Sequence, residues 1–151
     1  GELHIALAVE NPGATPWEFT TALHSYLRVE DVAHAQIHGL DGCARWDAVT
    51  DQHLIQQGLV GFAGEYDSVF QAPSSRHLWL QDGAQRLDIR QSNSLPQAVV
   101  WNPGADLCAR LADLPPEGWR QMLCVEAAAI DAPVRLGPGE RWTGWQHLRV
   151  A

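Results

Sequence analysis

His77-Leu78-Trp79-Leu80-Gln81-Asp82-Gly83-Ala84-Gln85-Arg86-Leu87-Asp88-Ile89-Arg90 is the stretch whose reading decides the fold. Polar and apolar residues alternate along both arms, which is the period of a half-buried strand. Asp82-Gly83 lies between the arms, and an Asp-Gly pair is a strong hairpin turn. The stretch predicts two antiparallel strands joined over Gln81 to Ala84, each with one face on a core.

The same signals recur on either side. Leu3-His4-Ile5-Ala6-Leu7-Ala8-Val9 alternates near its start, and Phe19 to Val29 is a long run of β-formers. Pro96 to Trp101 and Trp119 to Ala128 read as buried strands, and Trp142 to Val150 as a last one. Turn residues punctuate the runs at Asn11-Pro12-Gly13, Asp41-Gly42, Asn102-Pro103-Gly104, Pro115-Pro116-Glu117-Gly118 and Gly137-Pro138-Gly139. One short helix is expected, from Ala105 to Leu111. Short strands at regular turn spacing predict an all-β fold, an antiparallel β-sandwich, with no repeat or linker to divide it.

Composition narrows the function classes. A chain of 151 residues, 46% hydrophobic, suits one domain with a real core. No window approaches the roughly 18 apolar residues of a membrane-spanning helix. The first residues, with Glu2, His4 and Glu10, lack a signal-peptide pattern. Acidic groups outnumber basic ones, 18 to 10, and the net charge of −8 argues against nucleic acid. Every basic residue is Arg. Cys43, Cys108 and Cys124 are odd in number and have no Cys-x-x-Cys spacing, so they read as reduced thiols of a cytoplasmic protein. The chain opens at Gly1 and holds one methionine, Met122, so a start downstream of the translation start is expected.

Four residues stand out chemically. His24, in Thr21-Ala22-Leu23-His24-Ser25-Tyr26, is either a hydrogen-bonded, partly buried strand histidine or a functional one. The other six histidines show no metal-ligand spacing. Glu126 lies inside Met122-Leu123-Cys124-Val125-Glu126-Ala127-Ala128-Ala129-Ile130, where a carboxylate is costly unless paired. Strand alternation offers a second reading, a solvent-facing Glu126 beside Cys124 and Ala128. Asp67 enters a strand after a glycine turn and is either a turn acid or a functional carboxylate. Trp101, beside the Asn102 turn, is either packing or a sugar-stacking face.

Several segments, in order along nearly the whole chain, resemble the hexose-6-phosphate mutarotase (glucose-6-phosphate 1-epimerase) branch of the aldose 1-epimerase, or galactose mutarotase-like, family. They are Ala22 to Val29, Val32 to Leu40, Asp67, Val99 to Gly104, Asp113-Leu114-Pro115-Pro116, Cys124 to Ala127 and Pro138-Gly139. The resemblance implies a large antiparallel β-sandwich that interconverts the α and β anomers of glucose 6-phosphate and related hexose 6-phosphates. It implies neither metal nor organic cofactor. It implies that His24 is the general acid, Glu126 the general base and Asp67 a substrate-binding carboxylate.

The resemblance reaches only the C-terminal part of the family's domain, so residues 1–151 are expected to be that part of a larger sandwich. The family's phosphate-binding arginines belong to the N-terminal part, and no phosphate site is assigned. The missing N-terminal half, or self-association, is therefore expected to cover exposed strand edges. Ser68 stands where many relatives carry Arg, Leu27 where they often carry Phe, and Gly104 where they carry a bulkier residue. The alternative function is a β-sandwich that binds carbohydrate without turning it over.

Overall fold

β8 (His77–Asp82) and β9 (Gln85–Gln91) form the expected hairpin, with Leu78 opposite Ile89 and Leu80 opposite Leu87. The strands run further than the sequence suggests, so Gly83-Ala84 alone makes the turn and Gly83 takes a φ of 57°. Asp82 leaves the turn centre, and its carboxylate accepts the Glu30 N–H at 2.9 Å. Leu78, Leu80 and Ile89 point inward and are buried.

The computed structural model describes all 151 residues. Around the hairpin, β1 (Glu2–Glu10), β12 (Arg141–Val150) and β4 (Gln36–His38) complete a five-stranded antiparallel sheet in the order β1-β12-β9-β8-β4. The second sheet has seven strands. It contains β2 (Trp17–Leu23), β3 (Tyr26–Arg28), β5 (Ala44–Asp47), β6 (Gln52–Ile55), β7 (Tyr66–Gln71), β10 (Gln97–Asn102) and β11 (Met122–Leu136). Its order is β2-β11-β10-β7-β5-β6, with β3 continuing beside β11 after β2 ends. The fold is therefore the β-sandwich that the alternation predicts.

The main core lies between the sheets. Phe70, Ala98, Val100, Leu123 and Val125 from one sheet meet Ile37, Leu78, Leu80, Ile89 and Leu148 from the other. Each Val, Leu, Ile or Phe among them gains roughly 1.5–3 kcal/mol by leaving water. Alternation then sends Cys124, Glu126, Ala128, Val99, Trp101, Asp67 and Val69 to the outer face of the seven-stranded sheet.

Three local readings are corrected. Phe19 to Val29 is two strands, interrupted at His24 and Ser25, because local hydrogen bonding replaces one step of the ladder there. Trp119 to Gln121 belongs to a 3₁₀ turn, Gly118–Gln121, and β11 starts at Met122 and runs to Leu136. The helix α1 (Gly104–Cys108) is shorter than Ala105 to Leu111 and starts one residue earlier. Gly104, where relatives carry a bulkier residue, is required by its surroundings in this chain. Its φ is 63°, and a Cβ there would lie 2.5 Å from the backbone nitrogen of Glu65. The Asn102 side chain fixes this turn by accepting the Gly104 N–H at 2.9 Å and donating to the Met122 carbonyl at 2.8 Å. No helix is long and apolar enough to cross a membrane.

On the outer face of the five-stranded sheet, Asp88 accepts from Arg86 at 2.9 and 2.7 Å and meets His77 at 3.1 Å. The Arg86 hydrogen bonds, helped by His77, hold this carboxyl below the usual carboxylate range. A group with a lowered folded-state pKa stabilises the fold above its unfolded value, about 3.9, and ceases to do so as pH falls through the folded value. Asp88→Asn is expected to lower stability by about 0.5–1 kcal/mol at pH 7. The gap from the parent should shrink below about pH 4 in urea unfolding curves. A pH-independent gap would show that shape, and not charge, is at stake.

Candidate active site

The site follows from register. Leu23 lies opposite Ala127 and Tyr26 opposite Cys124, so the alignment of β2 and β3 against β11 is the same on both sides of the interruption. His24 thus falls opposite Glu126, and Ser25 opposite Val125. In an unbroken antiparallel ladder Ser25 and Val125 would exchange two hydrogen bonds. One survives, from the Val125 N–H to the Ser25 carbonyl at 3.3 Å. The Ser25 N–H turns back to the Leu23 carbonyl at 2.9 Å, which frees the Val125 carbonyl.

Gln146, fully buried on β12, reaches across the sandwich to fill that gap. Its amide donates to the Val125 carbonyl at 2.9 Å, and its carbonyl accepts the Ser25 hydroxyl at 2.5 Å. The interruption therefore leaves neither the Ser25 N–H nor the Val125 carbonyl unpaired. Sequence reasoning did not find Gln146. It is a polar residue on a strand like many others, and only the meeting of the two sheets reveals its role.

On the outer face, His24 Nε2 lies 3.3 Å from Glu126 Oε1. The His24 side chain is 48% exposed and that of Glu126 only 6%, so the histidine lids the carboxylate and faces solvent. Glu126 is thus paired and buried, and the solvent-facing reading of it is set aside. Tyr26 stacks on His24 at 4.8 Å between ring centroids, and Trp101 meets the His24 ring edge-on at 5.8 Å. Trp101 is half-buried against both rings.

Asp67 lies opposite Trp101, which itself lies opposite Cys124. Its half-buried carboxylate makes no hydrogen bond within the chain, so it does not cap the preceding turn. Burial pushes the carboxyls of both Glu126 and Asp67 above the usual range. For Glu126 the nearby His24 opposes the rise and Asp67 adds to it. For Asp67, Glu65 and Asp47 add to the rise and His24 opposes it. The structure therefore places His24, Glu126 and Asp67 on one face of one sheet, and brings the first two into contact.

Ser68, which stands where many relatives carry Arg, follows Asp67 in the chain but does not share its face. It alternates to the opposite face, is buried at 1% exposure, and its hydroxyl accepts from Arg45 at 3.3 Å. A residue at this position does not reach the face that carries Asp67. The three cysteines are free thiols; Cys43 is partly buried, and Cys108 and Cys124 are buried.

Residues 1–149 match the family model described as aldose 1-epimerase. A provisionally named glucose-6-phosphate 1-epimerase of Cenchrus ciliaris is 30% identical over 148 residues, 95% of this chain and 45% of the relative. A protein of the same provisional name from Salmonella typhimurium is 31% identical over 118 residues, 76% of this chain and 39% of the relative. The crystal structure of YeaD from Salmonella typhimurium, provisionally named a mutarotase, is 26% identical with a TM-score of 0.85. That match covers 98% of this chain and 50% of that one. The chain thus spans about half the length of the relatives it matches.

Gln146→Met keeps the bulk of the side chain and removes both of its hydrogen bonds. Leaving the Val125 carbonyl and the Ser25 hydroxyl without this partner is expected to cost about 1–3 kcal/mol. Urea unfolding should show this as a lower midpoint at unchanged slope. An unchanged midpoint would mean that Gln146 does not brace the interruption.

Proposed function

Since this chain belongs to the aldose 1-epimerase family, we propose that the full-length protein interconverts the α and β anomers of a hexose 6-phosphate, glucose 6-phosphate foremost. The observation that carries the reading is the contact of an exposed histidine with a buried carboxylate on an open sheet face. The provisional names of the relatives supply the substrate class. Residues 1–151 are then the C-terminal part of a larger sandwich, and the remaining part supplies the phosphate anchor.

The roles follow from the reaction. In ring opening the Glu126 carboxylate takes the proton of the anomeric hydroxyl, and the C1–O1 bond becomes a carbonyl. The bond from C1 to the ring oxygen breaks, and the His24 imidazolium gives that oxygen a proton. Rotation about C1–C2 exposes the other face of the aldehyde, and the ring closes with the two roles reversed. Both oxygens are bonded to C1, so the acid and the base must be neighbours, as His24 and Glu126 are. Asp67 accepts from sugar hydroxyls, and each acid or base contributes on the order of 10²–10⁴ in rate.

The burial of Glu126 suits a base. A carboxyl with a raised pKa holds a transferred proton better than a solvated one does, and the nearby His24 opposes part of the rise.

Two-dimensional NMR exchange between the anomers tests the assignment in the full-length protein. Glu126→Gln and His24→Ala should each slow exchange roughly 10²-fold or more, while the fold is kept. Full activity in either variant would refute the acid–base pair and favour a module that binds carbohydrate without turning it over.

Residues 1–151 alone should exchange the anomers weakly or not at all, because binding energy from the phosphate normally positions the reacting centre. Adding the N-terminal part in trans should raise the rate. A fully active 151-residue chain would place the phosphate anchor among its own ten arginines.

A further inference from the structure

The donor atoms of His24, Cys124 and Glu126 all lie within 4.8 Å of one another. This follows from the ladder: His24 faces Glu126 across two strands, and Cys124 is the next residue of β11 on the same face. The linear spacing of the histidines hides it, because the three donors come together only through strand pairing. We propose that these three side chains form a capture site for a thiophilic divalent cation of the zinc type, and that its binding blocks the acid–base pair.

The donor set selects the cation. Imidazole nitrogen, cysteine sulfur and carboxylate oxygen are the three ligand types of protein zinc, with bonds of about 2.0–2.3 Å. Such bonds put donors around a tetrahedral ion within roughly 3.3–3.8 Å of each other. The His24–Glu126 separation of 3.3 Å already lies there, and the 4.8 Å bound on the whole set puts the sulfur within about 1–1.5 Å of that range. Magnesium and calcium prefer all-oxygen shells and are disfavoured by the sulfur.

Charge agrees. A thiolate and a carboxylate neutralise a dication, which matters because Cys124 and Glu126 are both buried. The sulfur is fully buried beside the carboxylate, so a cation that binds sulfur strongly is the one able to take it as a ligand. The exposed side of His24 leaves a fourth position open to water. Bound there, the ion occupies the histidine nitrogen and the carboxylate that ring opening needs.

The binding half of this inference stands on the geometry; the blocking half rests on the function proposed above. Co²⁺ is the probe, added to the 151-residue chain. One ion per chain is expected, with a thiolate-to-cobalt charge-transfer band that Zn²⁺ removes by displacement. Cys124→Ser should abolish the band, and His24→Ala should weaken Zn²⁺ binding at least about 10-fold, with both variants checked for folding by far-UV circular dichroism. In the full-length protein, Zn²⁺ should slow anomer exchange over the concentration range in which it binds. Cys124→Ser should resist Zn²⁺, judged against its own metal-free rate. Absence of the band in the parent, or its survival in Cys124→Ser through Cys43 or Cys108, overturns the site. A band without any accelerated exchange in the full-length protein leaves the metal site standing and sinks the functional reading.

Discussion

The alignment of β11 against its neighbours is the constraint on which the rest of the structure depends. Cys124, Glu126 and Ala128 face outward only because Leu123, Val125 and Ala127 face inward, and the inward set is packed at almost no exposure. A slip of one residue would exchange the two sets and drive Glu126 into the core between the sheets. The apolar packing of one face thus determines the polar chemistry of the other. The same alignment carries across β10 to β7, so that Asp67 joins this face through Trp101.

The interruption at His24 and Ser25 refines that arrangement. An unbroken strand would tie Ser25 to Val125 by two ladder bonds, whereas the chain turns locally and borrows a side chain from the opposite sheet. The Val125 carbonyl keeps a hydrogen bond while the backbone that carries His24 leaves ideal strand geometry. The resulting histidine is braced beneath by β11 and flanked by Tyr26 and Trp101, yet half of its side chain remains open to solvent. A rigid support under an accessible ring is the combination an acid–base group requires.

Much of this was legible in the residues themselves. The alternation in His77 to Arg90 predicts both the hairpin and the inward faces of β8 and β9, because one face of each is in the core and the other is not. The outward parity of Glu126 with Cys124 and Ala128 was also readable, but its burial was not, since the lid over it comes from His24, about a hundred positions away. The short strands β4, β5 and β6 escaped notice because three or four residues carry too little periodicity. Phe19 to Val29 looked continuous because propensity does not register a broken ladder bond. The family resemblance singled out His24, Glu126 and Asp67, whereas pattern alone left two readings open for each.

Gln146 also bears on the order in which the molecule can assemble. It sits in β12, with which β1 pairs along its whole length. During synthesis from the N-terminus, His24 and Glu126 are both exposed to the cell before the residue that braces their junction has left the ribosome. Until then the Val125 carbonyl lacks the Gln146 amide that it accepts from in the folded chain. Closure between such sequence-distant elements carries a large loop-entropy cost and is characteristic of slow-folding β proteins. The nascent chain therefore holds every reactive side chain of the site well before it holds the site.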